Sequence, residues 1–373
     1  MKQDVLDLAA GRKPAKGPSK ETLNHPGLIR LASGIDPYAD TSQAYLAAYR
    51  ALGIDLVNRV PEANAPPPPE PETTRELGNG YVLSPLGVYG TVSRLRYPFE
   101  DVEEFFRAGG IHLDYHELVT PVPHRLDLEV IRRKEELLGD AGVYYYQLYT
   151  TLFMWGVEAL GWEVFMLAAA LDPQGFDERF LQPAFEASLA LTATLCDAES
   201  PLVFFHDDLA DARGPVFAPA WYERYIFPRY PELFAPVHAA GKKVIFVADG
   251  NMETFLEPLR NTGVDGVMLE NPATSFEAII RAFGDRIVIG GVETRRLSFD
   301  SPEAVRAHVL EVHAWTRELP GFVMSTPGGI HGSIPLANLE AYFDARVETG
   351  HTPPGWRFEE RGETRARPNG GAG

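Results

Sequence analysis

One cysteine in 373 residues leaves no intramolecular disulfide and no site that draws several thiolates from one chain. That residue, Cys196 in LTATLCDAES, reads as filler on a helix face. Cationic side chains are scarce as well: 34 Lys and Arg stand against 52 Asp and Glu, a formal net charge of -18 at pH 7. Nucleic acids and anionic membranes recruit clustered Lys and Arg, so neither is an expected partner. The opening MKQDVLDLAAGRKPAKGPSK has no apolar stretch of the secretory kind, which predicts a protein kept in a reducing cytoplasm. The longest apolar region, Tyr144 to Leu171, is interrupted by Gln147, Glu158 and Glu163 and reads as a strand feeding a helix, so no membrane span is predicted. GxSxG, P-loop and GxGxxG motifs are missing too.

What the chain does have is a series of short apolar runs in its second half that stop at acidic residues. LVFFH runs into Asp207 and Asp208, VIFVA into Asp249, GVML into Glu270 and IVIGGV into Glu293. A fifth run, GFVMS, opens onto the glycine-rich PGGIHGS with His331. Strands buried on both faces of a parallel sheet read as near-continuous apolar runs, and ligand chemistry gathers just past their carboxyl ends. Helical segments of the length a parallel crossover needs lie between the runs. The pattern predicts an α/β protein, a single (β/α)8 barrel of the TIM type with an acidic mouth. A barrel of this kind needs about 250 residues, which the length and a 45% hydrophobic content accommodate.

The expected organisation is a flexible tail over 1–22, the barrel over 23–351 and a disordered tail over 352–373. Near the start, HPGLIRLAS reads as a strand, TSQAYLAAYRALG as a helix capped by Thr41 or Ser42 and stopped at Gly53, and IDLVNRV as the next strand. Four prolines from Pro66 make PEANAPPPPEPETTRELGNG an extended surface connection. YVLSPLGVYGTVSRLRYPF reads as a hairpin inserted near the mouth, followed by the helix EDVEEFFRAG.

Adjacent carboxylates such as Asp207 and Asp208, close to other acids, cannot all ionise cheaply; one acquires a raised pKa, the group holds a cation, or one of them caps a turn. Gly250 after Asp249 permits a tight turn that leaves the carboxylate facing the mouth, and Glu270 and Glu293 end their strands in the same way. His331, freed by Gly328, Gly329 and Gly332, is placed to deliver a general acid or to serve an anion-binding loop. His206 sits at a strand end that suits a core histidine or a substrate contact equally.

Several stretches carry a family resemblance: TTLFMWGVEALG followed by ALDP, HDDLADARGPVFAPAWYERYIFPRY, KKVIFVADGN, VIGGVET with SPEAV, and GGIHGSIPLANLEAYFDA. In these the chain resembles the uroporphyrinogen decarboxylase superfamily of (β/α)8 barrels, which includes cofactor-free decarboxylases and corrinoid-linked methyltransferases. The methyltransferases hold zinc through a His-x-Cys and a later Cys, and the matching positions here are Val247, Asp249 and the region of Gly328. That thiolate site is absent, although Asp249, Glu270 and His331 would suit a harder ion such as Mg2+ or Mn2+. Asp249-Gly250 and His331-Gly332 match the decarboxylases. Their arginine-rich stretch that grips carboxylates has no counterpart beyond Arg30, their catalytic Asp falls near Glu62, and their tyrosine falls at Trp155.

The resemblance therefore implies a decarboxylase-type lyase with no organic cofactor and no metal, acting on a carboxylated substrate that need not be the family's tetrapyrrole. Asp208, Asp249, His331 and Glu62 would handle protons and stabilise a cation, with Asp207, His206, Trp155, Glu270 and Arg30 in substrate binding. The alternative is a methyltransferase subunit that exchanges a methyl group with a corrinoid carried by a partner protein. A homodimer is compatible with either.

Overall fold

Eight parallel strand positions close into a ring in the computed structural model, which describes residues 2–66, 75–78, 81–84, 87–94, 96–111, 113 and 126–356. They are β1 (Ser19–Lys20), β2 (Leu56–Val57), β3 in two pieces (Val143–Tyr144 and Gln147–Leu148), β4 (Leu202–His206), β5 (Lys243–Ala248), β6 (Gly266–Leu269), β7 (Ile287–Gly291) and β8 (Gly321–Ser325). Each pairs with the next, the first piece of β3 with β2 and the second with β4. The pairing of β8 with β1, Met324 against Ser19 and Ser325 against Lys20, completes the circle. The fold is α/β and of the TIM-barrel type, as the spacing of apolar runs predicts.

The strands are apolar on both sides because each side meets a different core. Leu56, Tyr145, Phe204, Val247, Ile289 and Val323 fill the barrel interior. Their neighbours of opposite phase, such as Val57, Phe205, Phe246, Val288 and Phe322, belong to the larger core beneath the helices. Each such side chain removed from water contributes about 1.5–3 kcal/mol. The helix after β3, Phe153–Leu171, is long and apolar enough to cross a membrane, but it packs into this layer with most of its residues buried, and it kinks at Gly161, where φ is 75°.

The N-terminal region departs from expectation. Residues 1–22 were predicted as a tail, yet Lys2–Ala9 is a helix whose Val5 and Leu8 join the inner core, and Ser19–Lys20 is a barrel strand. What holds this segment is polar: Lys16 Nζ lies 2.6 Å from Asp55 Oδ2, the Ser19 N–H donates to the same oxygen at 2.9 Å, and Ser19 Oγ donates to the Gly53 carbonyl at 2.6 Å. An apolar pattern cannot reveal such a strand. HPGLIRLAS is likewise a helix over Pro26–Ser33, with Pro26 in its first turn, His25 Nδ1 accepting the Leu28 N–H at 3.0 Å, and Gly34 ending it at φ 74°. The next helix, Thr41–Leu52, is capped by Asp40, one residue earlier than predicted, and stops at Gly53.

Beyond β1, Glu21 is fully buried in a clamp formed by Arg346 Nη1 at 3.2 Å, Thr326 Oγ1 at 2.6 Å and the Tyr342 hydroxyl. The last described helix, Leu336–Glu348, is thereby tied to the first strand of the ring. The predicted hairpin forms an antiparallel sheet of Arg75–Gly78, Tyr81–Ser84 and Thr91–Arg94, from which Arg94 donates to the Glu158 carbonyl at 2.6 Å. Pro67 to Pro69 of the proline run, and residues 357–373 of the expected C-terminal tail, lie outside the described residues. The start of that tail is ordered: Thr352 Oγ1 donates to the Leu52 carbonyl at 3.0 Å, and Trp356 is buried.

Candidate active site

Strand alternation decides which polar residue faces the barrel mouth. On β4, Leu202 and Phe204 point inward, so His206 does too, and the ladder continues past the strand with the Asp207 N–H on the Val247 carbonyl at 3.0 Å. Asp207 therefore faces outward and Asp208 inward. The same phase carries Asp249 inward after Val247 on β5, Glu270 after Met268 on β6, and Gln147 and Tyr149 after Tyr145 on β3.

Asp207 shows the consequence. Its carboxylate accepts the N–H groups of Leu152 and Phe153 at 3.0 Å and of Met154 at 2.7 Å, together with the Tyr230 hydroxyl at 2.7 Å. It caps the helix after β3 and is fully buried, so the substrate contact expected of it is replaced by a structural one. Burial pushes its pKa up to about 6 against the pull of these four donors.

On the inward face, His206 Nε2 lies 2.8 Å from Asp208 Oδ1, and its Nδ1 is 2.8 Å from the amide nitrogen of Gln147. Asp208 Oδ1 also accepts the Asp249 N–H at 2.7 Å, and the edge of the imidazole meets the Tyr149 ring with centroids 4.8 Å apart. The two carboxyls are driven in opposite directions. Burial would raise Asp208, but the hydrogen bond and charge of His206 outweigh it and hold Asp208 below the usual range. Burial would lower His206, but its hydrogen bond to the Asp208 carboxylate and the charges of Asp208, Asp249 and Asp207 raise it. Asp249 makes no side-chain hydrogen bond among the described residues, and burial together with the charge of Asp208 pushes it up to about 6. Burial also raises Glu270 and Glu158, both within reach of the Asp208 charge. Ligand atoms of His206, Asp208 and Asp249 lie within 4.8 Å of one another, a spacing that a divalent cation would also accept.

The remaining predicted residues are dispersed. His331 pairs its short strand with Leu23–Asn24, on the β8–β1 side of the mouth, and its Nδ1 is 2.8 Å from Ser333 Oγ. Among the described residues, no hydrogen bond or ion pair joins it to Asp208 or Asp249. Glu62 pairs with Arg133 at 3.1 Å near the surface, and Arg30 pairs with Asp36 where both are exposed. Trp155 is buried in the helix layer, with its indole N–H on Ser188 Oγ at 2.8 Å. Glu62, Arg30 and Trp155 are thus corrections: each has a partner that accounts for it away from the acidic cluster. Sequence reasoning missed Gln147 and Tyr149, although the alternation from Val143 through Tyr145 marks both. It also missed Lys20, fully buried on β1, which nothing in PSKETL marks.

The family profile described as Uroporphyrinogen decarboxylase (URO-D) matches residues 152–349. The curated uroporphyrinogen decarboxylase of Pseudoalteromonas atlantica is 27% identical over 178 residues, 47% of this chain and 48% of that protein. That of Psychromonas ingrahamii is 27% identical over 153 residues, 40% and 41% of the two chains. The chain thus spans about half the length, or less, of the curated relatives it matches. In three dimensions it is similar to a methyltransferase from Methanosarcina mazei, with a TM-score of 0.64 and 18% identity over 93% of this chain and 98% of that one.

Proposed function

The chain belongs to the uroporphyrinogen decarboxylase family, and from that premise we propose that it is a carboxy-lyase that removes CO2 from a carboxylated small molecule by proton transfer. The observation that carries this reading is the contrast between two neighbouring carboxyl groups, whose oxygens lie within 4.8 Å of each other. Asp208 is held ionised by His206 at 2.8 Å, while Asp249, whose own N–H rests on Asp208 at 2.7 Å, keeps a free carboxyl at the mouth. Environments that push paired acids apart assign one as proton donor and the other as charge stabiliser.

In this mechanism the Asp249 carboxyl protonates an electron-rich carbon of the substrate, and the resulting cation is stabilised by ionised Asp208. The C–CO2 bond breaks, its electron pair neutralises the cation, and CO2 departs. A proton from solvent reaches the vacated carbon as the first proton returns to Asp249, so the sum is the carboxylate plus one proton giving the protonated product and CO2. Gln147 orients His206 through its other nitrogen, which keeps Nε2 aimed at Asp208. The test is CO2 release from a panel of small carboxylic acids by the intact protein, with Asp249→Asn as the blank. Release that survives this substitution contradicts the reading.

One observation favours methyl transfer to a corrinoid protein as a second reading, namely the 4.8 Å grouping of His206, Asp208 and Asp249. Elemental analysis separates the two. Stoichiometric zinc that survives a chelator and is released by Asp249→Ala would reverse the preference.

A further inference from the structure

Lys20 is a buried cation with no anion in direct contact among the described residues. Its side chain is 1% exposed, it forms no ion pair among the described residues, and its single hydrogen bond goes to Thr22 Oγ1 at 3.2 Å. Glu21 beside it is taken by Arg346, Tyr342 and Thr326. Buried charges in folded proteins are paired, because an uncompensated one costs several kcal/mol. The register fixes where Lys20 points. It lies opposite Ser325 on β8 and Leu56 on β2, and Leu56 is an inner-core residue, as is Val323 two residues before Ser325. Lys20 and Ser325 therefore face the barrel interior side by side. Ser325 Oγ is fully buried with no hydrogen-bond partner among the described residues. In one register position an ammonium held by Thr22 Oγ1 thus sits beside a hydroxyl that has no partner among the described residues, across the mouth from Asp208 and Asp249.

We propose that Lys20 and Ser325, with Thr22 at the rim, form the subsite that receives a carboxylate of the substrate. The inference deepens the lyase reading and rests on it for the identity of the ligand as a carboxylic acid. One ammonium and hydroxyl donors match a monoanion. A phosphate carries nearly twice the charge, is usually met by an arginine fork or a helix terminus, and would be repelled by the acidic wall opposite. Thr22 is half-buried, and the glycine-rich loop before His331 packs on it: the Ile330 N–H donates to the Thr22 carbonyl at 2.9 Å, and a Cβ on Gly329 would meet Thr22 Cβ at 3.1 Å. His331 thus borders this subsite. Burial lowers the Lys20 pKa to about 8 against the pull of Glu21 and Asp249, which still leaves it charged at neutral pH. The carboxylate held here is one the substrate retains, since a group paired with an ammonium is stabilised against leaving as CO2.

The experiment is calorimetric titration of the full chain with acetate and with succinate, using chloride to hold ionic strength constant. Saturable binding is expected. Lys20→Met should weaken it about tenfold or more, Lys20→Arg by no more than about threefold, and Ser325→Ala by about threefold. Should Lys20→Met fail to fold, acylation of Lys20 in the wild-type protein, followed by mass spectrometry, should slow about fivefold in saturating acetate. Absence of carboxylate binding by the wild type, undiminished binding by folded Lys20→Met, unchanged acylation, or tighter binding of inorganic phosphate than of acetate would each overturn the proposal. Asp249→Asn, which removes an acid whose charge acts on Lys20, should bind acetate at least as tightly as the wild type does. If that variant also retains turnover while Lys20→Met loses binding, the lyase reading falls and the subsite stands.

Discussion

The two walls of the barrel mouth are built in different ways. On one wall, β4, β5 and β6 are strands of four to six residues, nearly all buried and apolar, whose inward phase delivers His206, Asp208, Asp249 and Glu270. On the other, β1 is a two-residue strand in a polar stretch, and it delivers Lys20 beside Ser325. The acidic wall is positioned by hydrophobic burial and the basic wall by hydrogen bonds and ion pairs around Asp55 and Glu21. On the proposed reading, the difference separates a place for proton transfer from a place for binding. It also teaches that a charge in such a mouth is placed by strand phase, whatever holds the strand.

Substitutions can break that division of labour. The largest effect is expected at Asp249→Asn, which keeps shape but removes the proton donor. Turnover should fall by about two orders of magnitude or more, with little change in substrate affinity. A raised KM with unchanged kcat would move Asp249 into the binding wall. Asp207→Asn should sharpen the phase argument, because it places an amide against four donors and should cost about 2–4 kcal/mol of stability in denaturant unfolding. Asp208→Asn, one residue away on the other face, should cost about 1 kcal/mol or less. The reverse ranking would contradict the alternation. The pH profile follows from the raised Asp249: as a donor it works while protonated, so kcat/KM should fall about tenfold per unit as pH rises beyond about 6, and the limb should vanish in Asp249→Asn. The smallest effect belongs to Glu62→Gln, within about twofold of wild-type turnover, since Glu62 only pairs with Arg133 near the surface.

The barrel was legible in the sequence because β4 through β8 are long enough to show their burial in composition, and their terminal acids follow directly. Asp207 and Asp208 could not be told apart, since the choice depends on phase and phase depends on where the ladder starts. Lys20 was invisible because two paired residues flanked by Pro18 and Glu21 carry no apolar signature. Glu62 and Arg30 failed for another reason. They precede residue 152, where the family match begins, so no shared register supported their placement. Trp155 lies inside the match, yet its indole N–H faces Ser188 in the helix layer.

The clamp between Glu21 and its partners also bears on how the chain assembles. Glu21 and Thr326 are 305 positions apart, and β8 must meet β1 before Lys20 and Ser325 share a face. Such long-range closure is slow, and on the ribosome it must wait until the helix Leu336–Glu348 with Arg346 has emerged. Until then the nascent protein is an open trough with the acidic wall complete and the basic one missing. The face proposed to capture an anion therefore forms only when β1 and β8, distant in the sequence, pair with each other.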